Sequence, residues 1–265
     1  MVGVTTPQSA PTVSVPIAVI SPHLDDAVFS CGALLASRPG SYVVTVFAGG
    51  PESMRRLTGW DRQCGFSEGQ DVIRARRQEE TAALAPLSAS PVFLDLWDHQ
   101  YRNPRFGYNN EADRALIERG ADELEAALLK LPTRTWLMPL GIQHPDHKLC
   151  RRIALRVVDR QAEATWLIYE ELAYYRLSRR RRWSARIALS PALMANGFWA
   201  RPQALPHTNS AMATKIEAMR CYVSQMKRLS EDFVRMAGEG PESYLQLATP
   251  SAGLQRVFRS LHKSV

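Results

Sequence analysis

Two short stretches of this chain concentrate side chains that do chemistry: Ser21-Pro22-His23-Leu24-Asp25-Asp26-Ala27 and His144-Pro145-Asp146-His147. Both hold imidazoles and carboxylates within a few residues. A catalytic zinc takes three nitrogen or oxygen ligands and keeps one position open for water. His23 and Asp26, three residues apart across a turn, can face one ion, and the third ligand comes from His144 or His147. Asp25 adjoins these ligands, where a carboxylate takes a proton from water as a general base. The remaining histidine can donate to a developing oxyanion or protonate a leaving amine. These are the parts of metal-assisted amide hydrolysis.

Each residue also has a plainer reading. His23 alone is a loop histidine, Asp25 or Asp26 a helix cap, and His144 and His147 a surface pair at a helix start. Asp98 alone is a turn or cap residue. Their joint placement at the ends of apolar runs favours the functional reading.

Those runs supply the scaffold. Residues 13–20 are β-branched and apolar and read as a buried strand, with a helix over 27–37 behind the first motif. Strands follow at 41–48, 91–97, 135–140 and 165–170, with helices over 71–85, 110–131 and 146–160. Pro86 and Pro132 stop two of these helices. Strands alternating with helices predict an α/β fold: a Rossmann-like, mainly parallel β-sheet flanked by helices, with a C-terminal extension. Ligands of such sheets bind beyond the carboxyl ends of the strands, where both motifs fall. Residues 50–69 read as a long loop, expected to act as a flap over the site. Residues 187–206 suggest an extra strand or hairpin, 214–229 a helix, and 244–265 a tail of no assigned structure.

The 265 residues are expected to form a single domain, with residues 1–12 a polar, disordered leader rather than a signal peptide. No apolar run approaches membrane-spanning length. Cys31, Cys64, Cys150 and Cys221 are far apart and form no CxxC pair, which argues for reduced thiols and a cytoplasmic setting. The formal net charge is +7, with Arg179-Arg180-Arg181-Arg182 as the densest basic run. A solvated basic surface is the favoured reading of that run. Nucleic-acid binding is the remote alternative, since no stacking array or recognised motif accompanies it, and recruitment of an acidic substrate is a third.

The motifs resemble those of the PIG-L/LmbE-like deacetylases. His23-Leu24-Asp25-Asp26 is similar to that family's His-Pro-Asp-Asp motif, and His144-Pro145-Asp146-His147 to its second motif. Arg76-Arg77-Gln78-Glu79 resembles the Arg-x-x-Glu helix. Lys215, Ala218, Tyr222, Ser224 and Gln225 resemble the C-terminal signature. The resemblance implies metal ligation by His23, Asp26 and His147, a general base in Asp25, and an oxyanion-steadying, amine-protonating role for His144. Arg76 and Asp98 match positions that line the sugar pocket of some members. It implies a Rossmann-like fold, a Zn2+ cofactor, and removal of N-acetyl groups from N-acetylglucosamine-type sugars or glycoconjugates. The partner expected is thus a small acetamido sugar or glycoconjugate, with no nucleic acid and no membrane. Two histidines and a carboxylate also suit Fe2+. Some members cleave amides of thiol conjugates, which is the alternative substrate class.

Leu24 stands where the family has proline, Ala27 where many members have glutamate, and Ser88 where a glycine follows the Arg-x-x-Glu helix. Ala27 implies that a supporting carboxylate is missing or supplied from elsewhere. A structural reading accompanies the other matches: Arg76 with Glu79 as a surface ion pair at i and i+3, and Lys215 with Ser224-Gln225 as ties holding the C-terminal helix to the sheet.

Overall fold

The computed structural model describes residues 15–51, 57–102, 111–172, 198–228 and 241–248, with single residues of 183–194 and 235 and 237. The leader over 1–12 and the Arg179–Arg182 run lie outside the described residues.

A seven-stranded sheet runs in the order β3-β2-β1-β4-β5-β7-β6. Its strands are β1 (Ala18–Ser21), β2 (Tyr42–Thr45), β3 (Ser90–Phe93), β4 (Thr135–Pro139), β5 (Thr165–Tyr169), β6 (Trp199–Gln203) and β7 (Tyr244–Ala248). The first five pair in parallel, and β7 joins β5 and β6 antiparallel. The expected α/β sheet is therefore present, mostly parallel and flanked by helices. The strand order reverses between β1 and β4: the chain steps outward from β1 to β2 and β3, then crosses back to β4. A crevice at such a reversal is where open α/β sheets take ligands.

β1 buries both faces, as its unbroken apolar run requires of an interior parallel strand. Ala18 and Ile20 pack with Leu124, Ile153 and Val157 of α4 (Glu111–Leu129) and α5 (Pro145–Arg160). Val19 packs on the other face with Val28, Leu34 and Leu84 of α1 (Asp26–Ala36) and α3 (Val72–Leu84). Asp71 caps α3 through Arg74 N at 3.0 Å, and Pro145 stands in the first turn of α5, where its missing N–H costs nothing.

Several expectations need correction. Residues 50–69 are not all loop: α2 (Gly59–Gln63) is set by a capping box between Thr58 and Asp61. The extra strand expected within 187–206 is present as β6, while the described residues from 187 to Met194 are helical. The helix expected at 214–229 starts earlier, at Asn209 behind a Thr208 cap, and stops at Arg220, with a short turn over Val223–Met226. The tail contributes β7, because the open edge of β5 offers it a backbone partner.

The residues of the C-terminal signature make structural ties, but to α1 and α3 rather than to the sheet. Lys215 is fully buried, pairs with Glu242 at 2.7 Å, and leaves no room for a side chain at Gly32 of α1. Ser224 N and Oγ donate to Glu79 at 2.8 and 2.6 Å, so Glu79 ties this segment to α3. Arg76 meets Asp98 at 3.6 Å. All four cysteines are unpaired and three are buried. No described helix is long and apolar enough to cross a membrane.

Candidate metal centre

The loop after β1 places His23, Asp25 and Asp26. Asp25 occupies the N-cap position of α1 yet makes no cap hydrogen bond, at φ 146°. A non-glycine residue there is strained by about 1–3 kcal/mol, a cost that clusters at functional sites. The cap reading of Asp25 therefore fails. Capping falls to Ser21, whose Oγ accepts from Ala27 N at 3.1 Å and donates to the His23 carbonyl at 2.7 Å. Asp26 turns back so that its Oδ2 accepts from His23 N at 3.0 Å.

β1 and β4 are neighbours, so the second motif falls against the first. Asp26 Oδ2 is 3.1 Å from His23 Nδ1 and 3.1 Å from His147 Nε2. The three imidazoles of His23, His144 and His147 stand with ring centroids 5.0 to 5.4 Å apart. Among the described residues, two sets of three donor atoms lie within 4.8 Å of one another: His23, His144 and His147; and His23, Asp98 and Asp146. His144 caps α5, with Nδ1 accepting from Asp146 N at 3.2 Å. A backbone N–H only donates, so His144 carries its own proton on Nε2 and points a donor, not a lone pair, away from the cap.

His23 and His147 each have a second carboxylate behind them. His23 Nε2 is 3.0 Å from Asp146 Oδ2, and His147 Nδ1 is 3.1 Å from Glu171 Oε1. Glu171 Oε1 also accepts from Gly141 N at 2.7 Å and Ile142 N at 2.9 Å, holding the turn that precedes the second motif. Asp146 accepts from His99 N at 2.8 Å and pairs with Arg102. Arg76 and Asp98 form the adjoining wall, with Asp98 Oδ1 4.0 Å from His23 Nε2. Asp98 also caps the single 3-10 turn His99–Tyr101, so its plain and functional readings coexist. The rim is closed from α2: Thr58 Oγ1 donates to Gln100 Oε1 at 2.5 Å, and Tyr101 Oη to Asp61 Oδ1 at 3.1 Å. The stretch expected to be a flap thus lies against the loop that carries Asp98.

Electrostatics separates the two adjacent aspartates. Burial and the charge of Asp26 push Asp25 upward, against the pull of Arg76, His23 and His147. Burial would raise Asp26 too, but His147 and His23 outweigh it and hold it below the carboxylate range. Burial pushes His144 down to about 3, helped by His23 and His147. Burial alone would lower His147, but Asp26 and Glu171 lift it to about 9. A neutral imidazole, a charged carboxylate and a second carboxyl held above its ordinary range thus share one crevice.

All seven expected site residues come to this crevice. Three participants were not expected: Asp146, Glu171 and Arg102. Asp146 sits inside the quoted second motif. Glu171 has the same placement signal as the others, a carboxylate just past a parallel strand. Arg102 ends the polar run after the third strand.

Residues 18–158, more than half of the chain, match the family model described as PIG-L, GlcNAc-PI de-N-acetylase. A curated relative, 2'-N-acetylparomamine deacetylase of Niallia circulans, is 29% identical over 187 residues, which cover 59% of this chain and 66% of that protein. The match therefore spans just under two thirds of the relative's length. Among solved structures, the A40926 pseudoaglycone deacetylase Dbv21 superposes with a TM-score of 0.69 at 25% identity, covering 90% of this chain and 99% of that one. A deacetylase–teicoplanin complex from the teicoplanin biosynthesis pathway shares the fold, with a TM-score of 0.69 at 22% identity over 89% of this chain and 99% of that one.

Proposed function

Because this chain belongs to the PIG-L family, we propose that it is an N-deacetylase that hydrolyses the acetamide of an amino sugar, with a divalent metal ion held by His23, Asp26 and His147. The observation that carries this reading is one carboxylate oxygen, Asp26 Oδ2, lying 3.1 Å from a ring nitrogen of each histidine at the sheet's switch point. The donor set fits such an ion. Two imidazoles and a carboxylate are borderline-to-hard ligands suited to Zn2+, and to Fe2+ when positions stay open. Carboxylates behind both histidines are the outer support that metal-bound imidazoles use. Glu171 supplies a supporting carboxylate of the kind Ala27 cannot.

When bound, the ion supplies Lewis acidity, which acidifies water and polarises an acyl carbonyl. The chain's own residues do the rest. Asp25 takes the proton of the attacking water at its carboxylate, which is a stronger base than an ordinary aspartate because burial and Asp26 push it upward. Water oxygen bonds to the acyl carbon, and His144 Nε2–H donates to the oxyanion as it forms. A neutral His144 keeps its proton, so Asp25 returns the one it accepted to the nitrogen as the carbon–nitrogen bond breaks. Acetic acid and the amine leave, and the acid's remaining proton passes to the amine, giving acetate and an ammonium group. Arg76 and Asp98, on the wall beside His23, bind the hydroxyls of the sugar.

The names of the relatives support a substrate class. One is named for 2'-N-acetylparomamine and another for the A40926 pseudoaglycone, so the sugar proposed is part of a natural product. The test is acetate release from 2'-N-acetylparomamine, from an N-acetylglucosaminyl glycopeptide pseudoaglycone and from free N-acetylglucosamine. Each is assayed with added Zn2+ and after chelation. Release from at least one conjugate, lost on chelation and restored by the metal, is expected. Undiminished turnover in the chelated protein, or none on any substrate with metal present, contradicts the reading.

A further inference from the structure

We propose that Asp146 and Glu171 are positioning residues that select which ring nitrogen each ligand histidine gives to the metal: Nδ1 from His23 and Nε2 from His147. The inference rests on the reading of the metal centre above and goes beyond it, because it gives two residues outside the ligand set a defined role.

The two histidines are turned in opposite senses. His23 faces Asp26 with Nδ1 and Asp146 with Nε2, whereas His147 faces Asp26 with Nε2 and Glu171 with Nδ1. A neutral imidazole has one N–H and one lone pair. A carboxylate accepts and does not donate, so the ring proton settles on the nitrogen that faces it and the lone pair is left on the opposite side. Asp26 is a carboxylate too, but it lies on the side where a cation would take the proton's place; each ring then keeps its N–H toward Asp146 or Glu171 and turns its lone pair to the side of Asp26.

Both carboxylates are themselves held rigid. Each is fully buried. Asp146 is fixed by His99 N, by the pair with Arg102 and by its place in the first turn of α5. Glu171 is fixed by two successive backbone N–H groups, Gly141 and Ile142. Gly141 is needed there: its φ is 79°, and a Cβ would stand 3.1 Å from the His147 carbonyl oxygen. The orientation of His147 is thus inherited from β5 through Glu171, and that of His23 from α5 through Asp146.

The test uses the full chain, with Asp146→Ala and Glu171→Ala, which remove the acceptor behind each ring. Zinc affinity is measured by competition with a chromogenic chelator, and folding is checked by thermal melts. Each variant is expected to bind zinc about 10–100-fold more weakly than the wild type. A second measurement needs no variant. Nitrogen-15 spectra of the imidazoles in the zinc-loaded wild type are expected to show the ring proton of His23 on Nε2 and that of His147 on Nδ1. Folded variants with wild-type zinc affinity, or ring protons on the opposite nitrogens, overturn the inference while leaving the metal centre intact. A wild-type chain that binds no zinc overturns both.

Discussion

Tyr222 Oη donates to Glu80 Oε2 at 2.6 Å in the buried layer between α3 and the end of the helix Asn209–Arg220. Both residues are fully enclosed, and Glu80 Oε1 has no hydrogen-bond partner among the described residues. Burial pushes the Glu80 carboxyl up to about 8, against the Tyr222 bond and with help from the charges of Asp25 and Asp26.

That shift has a definite sign. The folded chain holds the Glu80 proton more tightly than the unfolded chain, whose glutamate titrates near 4.5. Stability from this group is therefore present at acidic pH and is lost as pH rises from about 4.5 through about 8, by roughly 1.4 kcal/mol per unit at most. Glu80→Gln is expected to flatten this slope and raise stability at pH 8.5 relative to the wild type. Urea unfolding at pH 5.5 and 8.5 reads both, and an unchanged slope in the variant would remove Glu80 as its source.

The buried pair Lys215–Glu242 predicts a cost of a different kind. Glu242 also accepts from Ala33 N and Leu34 N of α1 at 2.9 and 3.0 Å, and from Tyr244 Oη at 2.6 Å. Removing one partner leaves the other charge buried, which costs about 3–5 kcal/mol. Glu242→Ala is expected to lower stability by that amount, and Glu242→Gln with Lys215→Met together by less. Denaturant midpoints of the single and double variants decide it.

Asp25 is expected to separate chemistry from metal binding. Asp25→Asn leaves His23, Asp26 and His147 in place, so zinc affinity should hold within a few-fold while kcat falls about 10²–10⁴-fold. Equal losses of metal and turnover would make Asp25 a ligand rather than a base.

Of the seven residues expected from sequence, Arg76 lies on α3 and was legible only through the resemblance of its helix. The other six were legible because each lies in a short run directly after an apolar strand, where local order alone puts a side chain at the mouth of the sheet. Glu171 lies in the same kind of place, but its partners at 141, 142 and 147 are set by the pairing of β4 with β5, which spacing along the chain does not encode. β7 was hidden for a similar reason: five residues after a Gly-Pro break become an interior strand only because β5 and β6 flank them. The helix expected at 214–229 was misjudged at both ends. Its apolar period runs on through Tyr222, whereas the chain turns at Cys221 so that Tyr222 can reach Glu80. α2 is only five residues long and has no apolar face, and its one signal, Thr58 ahead of Asp61, is a capping box with aspartate where glutamate is usual.

The most direct measurement is the zinc content of the purified chain after dialysis against the metal, compared with that of Asp26→Ala. One zinc per wild-type chain and close to none in the variant is the result predicted, since a single oxygen of Asp26 joins the two histidines. Equal zinc in both proteins, or none in the wild type, would contradict a centre built on His23, Asp26 and His147.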